Sequence, residues 1–311
     1  MIEFSLCGFP FAVEPLSAAV IPVVETVAIE LGPGKARRLE RPMRFQVRVG
    51  KSLHEPKGSP VVEAASGVYV DGPRLEGRRG FSAYEIDLRS GDGVLVLDLE
   101  SRVEPDGVLE AFALSAFMTA VHTRGAYFLH GAAVSLNNRA IVLSGPSGTG
   151  KSTAAAFLAH SGLDILAEDA LFLEPGGPSG ARLHGVPRPA KLSPEVLRKL
   201  GHTVPPGSAH KASVPLATLG RVVETADFAV LLCPELSGGP RTRVTRLSPI
   251  EALAQASRQS QLVWAHYPNS KAHLETLASL ARNAYKLELG SESLEAGSMR
   301  SVVEPLLRDL R

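Results

Sequence analysis

Residues 145–152 read Gly-Pro-Ser-Gly-Thr-Gly-Lys-Ser, which satisfies G-x-x-x-x-G-K-[ST]. No other feature of the chain restricts its architecture as much. Such a loop needs glycines where backbone N–H groups converge on phosphate oxygens with no Cβ in the way. It also needs a strand ending at its first residue and a helix starting at its last, so that the helix N-terminus points its positive end at the anion. Both flanks comply. Residues 139–143 (RAIVL) are apolar, and residues 152–160 carry Ala and Leu at helical spacing before Ser161-Gly162 closes the helix. Residues 163–166 resume as a strand, giving a βαβ unit and an α/β fold class with α+β character. Gly145, Pro146, Ser147, Gly148, Thr149, Gly150, Lys151, Ser152 and the following Thr153 are the expected nucleotide-binding residues. Lys151 would reach the β- and γ-phosphates, and the Ser152 hydroxyl would face Mg²⁺. The alternative is a glycine-rich turn with an incidental Lys-Ser.

At roughly 150 residues per domain, 311 residues suggest two domains. Over 1–105 the apolar residues alternate or fall in short runs, as in 45–49 (FQVRV) and 93–99 (GVLVLDL), with a turn at 89–93; this predicts a β-rich N-terminal domain. From 106 the pattern changes: 107–123 reads as a helix, and the P-loop domain is expected to fill 106–311. Residues 126–136 and 139–143 read as a hairpin around Asn137-Asn138. Residues 228–233 fit a buried strand, 249–258 and 270–283 helices, 285–289 a strand and 294–310 a final helix. Residues 175–190 read as a lid-like segment that opens on a Gly/Pro-rich loop, and 203–213 as a polar loop.

Lys plus Arg number 33 against 32 Asp plus Glu, so the formal charge of +1 provides no diffuse basic field, and no nucleic-acid partner is expected. The longest mostly apolar stretch, 111–121, is far short of the ~20 residues that span a bilayer, so no membrane span is expected. The N-terminus lacks the n-region and h-region of a secretory signal, which makes the cytoplasm the expected compartment. Cys7 and Cys233 are expected as buried small hydrophobes.

Candidate chemistry gathers near the loop. Glu168 and Asp169 lie 17 and 18 residues after Lys151, at the end of the next strand. One carboxylate could hold Mg²⁺ while the other takes a proton from an attacking hydroxyl. Neighbours on a strand point to opposite faces, so both could face a phosphate only if the strand ends or bulges there. The competing reading is a solvated strand end. His130 lies fifteen residues before Gly145 among apolar neighbours, where a histidine is either catalytic or simply packed. Lys191 and Lys211 are candidates for phosphate or acceptor contacts, or are solvated surface lysines. Glu235, after the 228–233 strand, reads as a loop acid. The basic run 35–51 with Arg37, Arg38, Arg41, Arg44 and Arg48 could dock an acidic peptide or form the wet face of a strand.

LHGAAV at 129–134, the Asn-Asn hairpin, GPSGTGKS, the Ser161-Gly162 helix end and ILAEDALFL at 165–173 together resemble the catalytic domain of the HPr kinase/phosphorylase family and its related kinases. The fit is specific over 126–173, and looser at 184–192 (HGVPRPAKL) and 228–232. The resemblance implies an HPr-kinase-like P-loop domain binding ATP and Mg²⁺. His130 would lie near the reacting phosphate, Lys151 and Ser152 would hold nucleotide and metal, Glu168 would be the general base and Asp169 would stand near the metal. Two departures matter. The family's pair is usually Asp-Asp, and Thr153 replaces a Glu of the bifunctional enzymes, which implies a kinase without the reverse phosphorolysis. The acceptor implied is a serine of a peptide or protein, since relatives of this kind occur beside operons for ribosomally made peptides, and the N-terminal domain could dock it. A kinase for free serine and a nucleotide-binding regulatory or assembly module are the alternatives. Oligomeric state is not readable from the chain.

Overall fold

The computed structural model describes residues 1–31, 41–52, 55–57, 59–62, 66–100, 107–177, 179–204, 211–260, 268–295 and 297–308. It is a mixed α/β protein in two compact units: Met1–Phe128 with Gln261–His273, and Leu129–Ser260 with Leu274–Arg311. The expected boundary at 105/106 lies outside the described residues.

The first unit is built on an eight-stranded sheet. Its strands are β1 (Ile2–Leu6), β2 (Phe9–Pro15), β3 (Met43–Val49), β4 (Ser59–Val62), β5 (Ser66–Asp71), β6 (Arg74–Arg79), β7 (Ser82–Asp87) and β8 (Gly93–Leu97), in the order β1-β2-β3-β8-β7-β6-β5-β4. The pairs β2–β3 and β3–β8 are parallel and the rest antiparallel. Strict alternation in β3 buries Met43, Phe45 and Val47 and exposes Arg44 and Arg48, so those two arginines form the wet face of a strand. Arg41 donates to Asp92; Lys35, Arg37 and Arg38 of the basic run lie outside the described residues. Helices α1 (Ile21–Leu31) and α2 (Val108–Val121) lie wholly in this unit. Phe117 of α2 sits among Phe45, Phe4 and Phe11 at ring-centroid distances of 5.0, 5.1 and 5.4 Å. Edge-to-face contacts of this kind add to the area that the rings bury.

Strand β9 (Tyr127–Leu129) carries the chain across the division between the units. The second unit's strands are β10 (Ala132–Leu136), β11 (Arg139–Leu143), β12 (Asp164–Ala167), β13 (Leu171–Pro175), β14 (Ala181–Gly185), β15 (Ala190–Leu192), β16 (Ala212–Val214), β17 (Thr225–Leu236), β18 (Arg243–Arg246) and β19 (Ala284–Leu289). The main sheet runs β12-β10-β11-β17-β14-β13, with β19 parallel to the far half of β17 and β18 antiparallel to β19. The expected hairpin is β10–β11, with Asn137 and Asn138 both left-handed at φ +52° and +62°, as a two-residue turn of this hand requires.

The helices are α3 (Lys151–His160), α4 (Pro194–Lys199), α5 (Leu216–Leu219), α6 (Pro249–Arg258), α7 (Ser270–Ala281), which crosses the division, and α8 (Ser298–Arg308). Helix α3 is buried along Ala154–Ala159 against a core that includes Val134, Ile141, Ile165 and Val303; small side chains let it lie close to the sheet. Strands β11 and β12 run the same way with β10 between them, so β11, α3 and β12 form the expected βαβ unit. The segment 175–190 differs from the lid-like expectation: β14 is hydrogen-bonded to β13 on one side and β17 on the other, with Ala181 and Leu183 buried. Cys233 is buried, whereas Cys7 is only half-buried, in the left-handed turn between β1 and β2. Among the described residues no helix is long and apolar enough to cross a membrane.

Candidate active site

The phosphate-type loop leaves the carboxyl end of β11, a strand flanked by β10 and β17, where α/β sheets present their ligand-binding crevices. Ser144 fixes the departure point: its N–H donates to Leu232 O at 3.0 Å and its hydroxyl to His130 O at 3.0 Å. Within the loop, Gly148 and Gly150 hold φ of +85° and +96°, conformations that admit glycine readily and other residues poorly. A Cβ on Gly150 would also lie 2.6 Å from Leu289 Cδ1. The Thr149 hydroxyl closes the loop by donating to Pro146 O at 2.9 Å. The Lys151 ammonium folds back onto Gly145 O and Pro146 O at 2.8 and 2.9 Å. Burial lowers its pKa and Lys211 pushes the same way, while Asp169 and Glu168 oppose the shift.

The acidic pair resolves the strand-alternation problem. β12 ends at Ala167, and Asp169 adopts φ +72°, so the chain turns and both carboxylates line one cavity with Lys151 and Ser152. Glu168 is 5% exposed and accepts a hydrogen bond from the Ser152 hydroxyl. Burial raises its pKa; the Ser152 bond pulls it back, Asp169 raises it further, and the charges of Lys211 and Arg188 lower it. Asp169 is held differently. His130 Nδ1 lies 3.0 Å from Asp169 O and 3.2 Å from Asp169 Oδ1, and Arg188 Nη1 lies 3.5 Å from Asp169 Oδ2. A carbonyl can only accept, so Nδ1 carries the proton.

The cavity has a volume of about 640 Å³, within the range of small-molecule sites. It brings together Ser147, Gly148, Gly150, Lys151, Ser152, Thr153, His130, Glu168 and Asp169, together with Lys191 and Lys211. Gly145, Pro146 and Thr149 stand behind this lining and tie the loop and Lys151 in place. Leu236, Leu289 and Leu294 form an apolar wall beside Gly238 and Gly239. Glu235 is apart from the site, exposed on β17 and 2.9 Å from Lys286. Sequence reasoning did not place Arg188; its signal is Pro187-Arg188-Pro189, two prolines that stiffen the chain on either side of a cation. It also missed the apolar wall, which joins Leu236 to Leu289 and Leu294 from a later part of the chain.

Among the described residues no three His, Cys, Asp or Glu form a metal-holding group. Ser152, Glu168 and Asp169 offer oxygen donors to the one cavity that they line. Few protein oxygens completed by phosphate and water suit Mg²⁺, so the donor chemistry fits that ion.

No family model matches the sequence, and no curated protein does. Among solved structures, the chain is similar to the HPr(Ser) kinase/phosphatase from Coxiella burnetii at 12% sequence identity and a TM-score of 0.30, over 58% of this chain and 94% of that one. A likeness that slight bears no weight on fold or activity.

Proposed function

We propose that the second unit is an ATP- and Mg²⁺-dependent kinase that transfers the γ-phosphoryl group to a hydroxyl, the serine of a peptide or protein. One observation carries this reading: two consecutive carboxylates, one buried and one in a left-handed turn, share a cavity with a glycine-cleared loop and its lysine. Phosphoryl transfer asks little covalent chemistry of a protein, so positioning and charge neutralisation do most of the work. In the proposed step the acceptor oxygen bonds to the γ-phosphorus as the bond to the β-bridging oxygen breaks, ADP leaves, and the hydroxyl proton passes to Glu168. A bound Mg²⁺ would neutralise phosphate charge, with Ser152 and Asp169 as its protein oxygens. Lys151 would exchange its two loop carbonyls for phosphate oxygens. His130 and Arg188 keep Asp169 in place. The raised pKa of Glu168 suits a base, because proton transfer is most efficient when the catalytic pKa approaches the working pH.

The test is incubation of the full chain with Mg²⁺ and γ-labelled ATP against serine-bearing peptides, free serine and HPr, with mass mapping of the modified atom. Label on a peptide serine is the expected result; label on free serine would reassign the acceptor class, and no transfer to any acceptor would leave a nucleotide-binding regulatory module. Glu168→Gln should abolish transfer while nucleotide still binds. Thr153, in place of an acid, supports a one-way kinase: phosphorylated product with added inorganic phosphate should not be dephosphorylated.

The Ser152–Glu168 hydrogen bond favours a second assignment of the two acids, in which Glu168 serves the metal and Asp169 with His130 takes the proton. Raised Mg²⁺ would then restore transfer to Glu168→Gln. A lost general base is not recovered by more metal.

A further inference from the structure

Strands β15 and β16 form a separate two-stranded ladder in which Lys191 faces Ser213 and Leu192 faces Ala212. Ala190, Leu192, Ala212 and Val214 are buried, while Lys191 and Ser213 are exposed. Period-two alternation sets Ser193 and Lys211, the next residues outward, on the same side as Lys191. Lys191, Ser193 and Lys211 all line the cavity of the phosphate-type loop.

The acids of that cavity are already matched. Asp169 has Arg188 at 3.5 Å, and Glu195 has Lys199 at 3.6 Å. Glu168 is occupied by Ser152. Among the described residues, no carboxylate lies within ion-pair distance of Lys191 or Lys211. Two lysines lining the cavity of a phosphate-type loop, neither salt-bridged to a described carboxylate, favour an anion between them and the loop, and a magnesium-bound triphosphate retains two negative charges. Of the two, Lys211 lies beside the six residues 205–210 at the start of β16, and its charge also acts on Glu168 and Lys151.

We propose that Lys211, presented by the β15–β16 ladder, contacts the γ-phosphoryl oxygens of the bound nucleotide and distinguishes triphosphate from diphosphate. This rests on the nucleotide reading of the loop. Lys151 would reach the phosphates from the loop, and Lys211 the outermost one from the β15–β16 ladder. Its charge offsets the negative charge on the transferring group, as a cation placed from outside the loop does in other phosphoryl-transfer sites. Lys191, further along the same face, acts only as part of the general positive field.

Titration calorimetry on the full chain tests this without any acceptor. The probes are Mg-ADP and Mg with the β,γ-methylene analogue of ATP, against wild type, Lys211→Met, Lys211→Arg and Lys191→Met at one ionic strength. Lys211→Met should weaken the triphosphate analogue about tenfold and leave Mg-ADP within about twofold; retained ADP binding also reports an intact fold. Lys211→Arg should recover most of the loss, and Lys191→Met should shift the ratio of the two affinities less than Lys211→Met does. Equal weakening of both nucleotides by Lys211→Met, no weakening of either, or a larger ratio change in Lys191→Met overturns the assignment. If wild type binds neither nucleotide, the reading of the loop falls, and this proposal falls with it.

Discussion

At Asp169 one dihedral angle decides whether the site exists. A non-glycine residue at φ +72° costs roughly 1–2 kcal/mol relative to an ordinary conformation, and in return the carboxylate meets His130 and Arg188. Asp169→Gly should release the strain while losing those contacts, leaving the unfolding free energy from urea titration within about 1 kcal/mol of wild type and phosphoryl transfer abolished. A loss of more than about 3 kcal/mol would mean that the contacts, and not the turn, dominate. Its neighbour supplies a pH signature. Because burial raises the Glu168 pKa, the ionised base is lost at higher pH than for an exposed glutamate. The acid limb of kcat/KM should therefore fall above the usual carboxylate range, and a limb within or below that range would count against Glu168 as base. The spacing of both acids from Lys151 could be read from the chain. That they share a cavity could not, since alternation predicts opposite faces and only the turn after Ala167 brings them together.

Elements tell a similar story about what sequence patterns reveal. Helix α6 has the bounds expected for it, helped by a capping box in which Ser248 and Glu251 bond each other's backbone N–H. Helix α1 was not anticipated, because its β-branched residues fit a strand; its signal was the spacing of buried Val20, Val24, Val27 and Leu31. β14 was missed for another reason. It brings Gly185 against another strand: a Cβ there would stand 1.8 Å from Leu166 O, a contact that no local pattern announces. Gly185→Ala should therefore push β12 and β14 apart and destabilise the protein by about 3 kcal/mol in urea unfolding. Leu166 is two residues before Glu168, so transfer should fall even where the variant is fully folded. Unchanged stability would show that the two strands can separate freely.

For the molecule as a whole, acid sensitivity has a defined source in the first unit. His122 and His273 are buried there with ring centroids 5.3 Å apart, and Tyr127 stacks on His273 at 4.6 Å. Burial lowers both pKa values, His122 well below the usual range and His273 to about 4. The unfolded chain takes up these protons near pH 6.5, and the folded chain resists until pH is much lower. The contribution of these two histidines is therefore constant above about pH 6.5 and falls as pH drops toward 4, by on the order of 3 kcal/mol for His273. Urea midpoints measured from pH 7 to 4 should show this decline, and His273→Asn should flatten it; an equal slope in the variant would place the sensitivity elsewhere.

The same corner of the first unit is assembled from remote pieces. Asn269 donates to His122 O across 147 residues of chain, and nearly all of the second unit's sheet lies between the two in sequence. On the ribosome, the first unit consequently waits for its closing segment until most of its companion has been synthesised. A chain cut to residues 1–128 would leave Asn269 and His273 behind and lose the contacts they make with His122 and Tyr127.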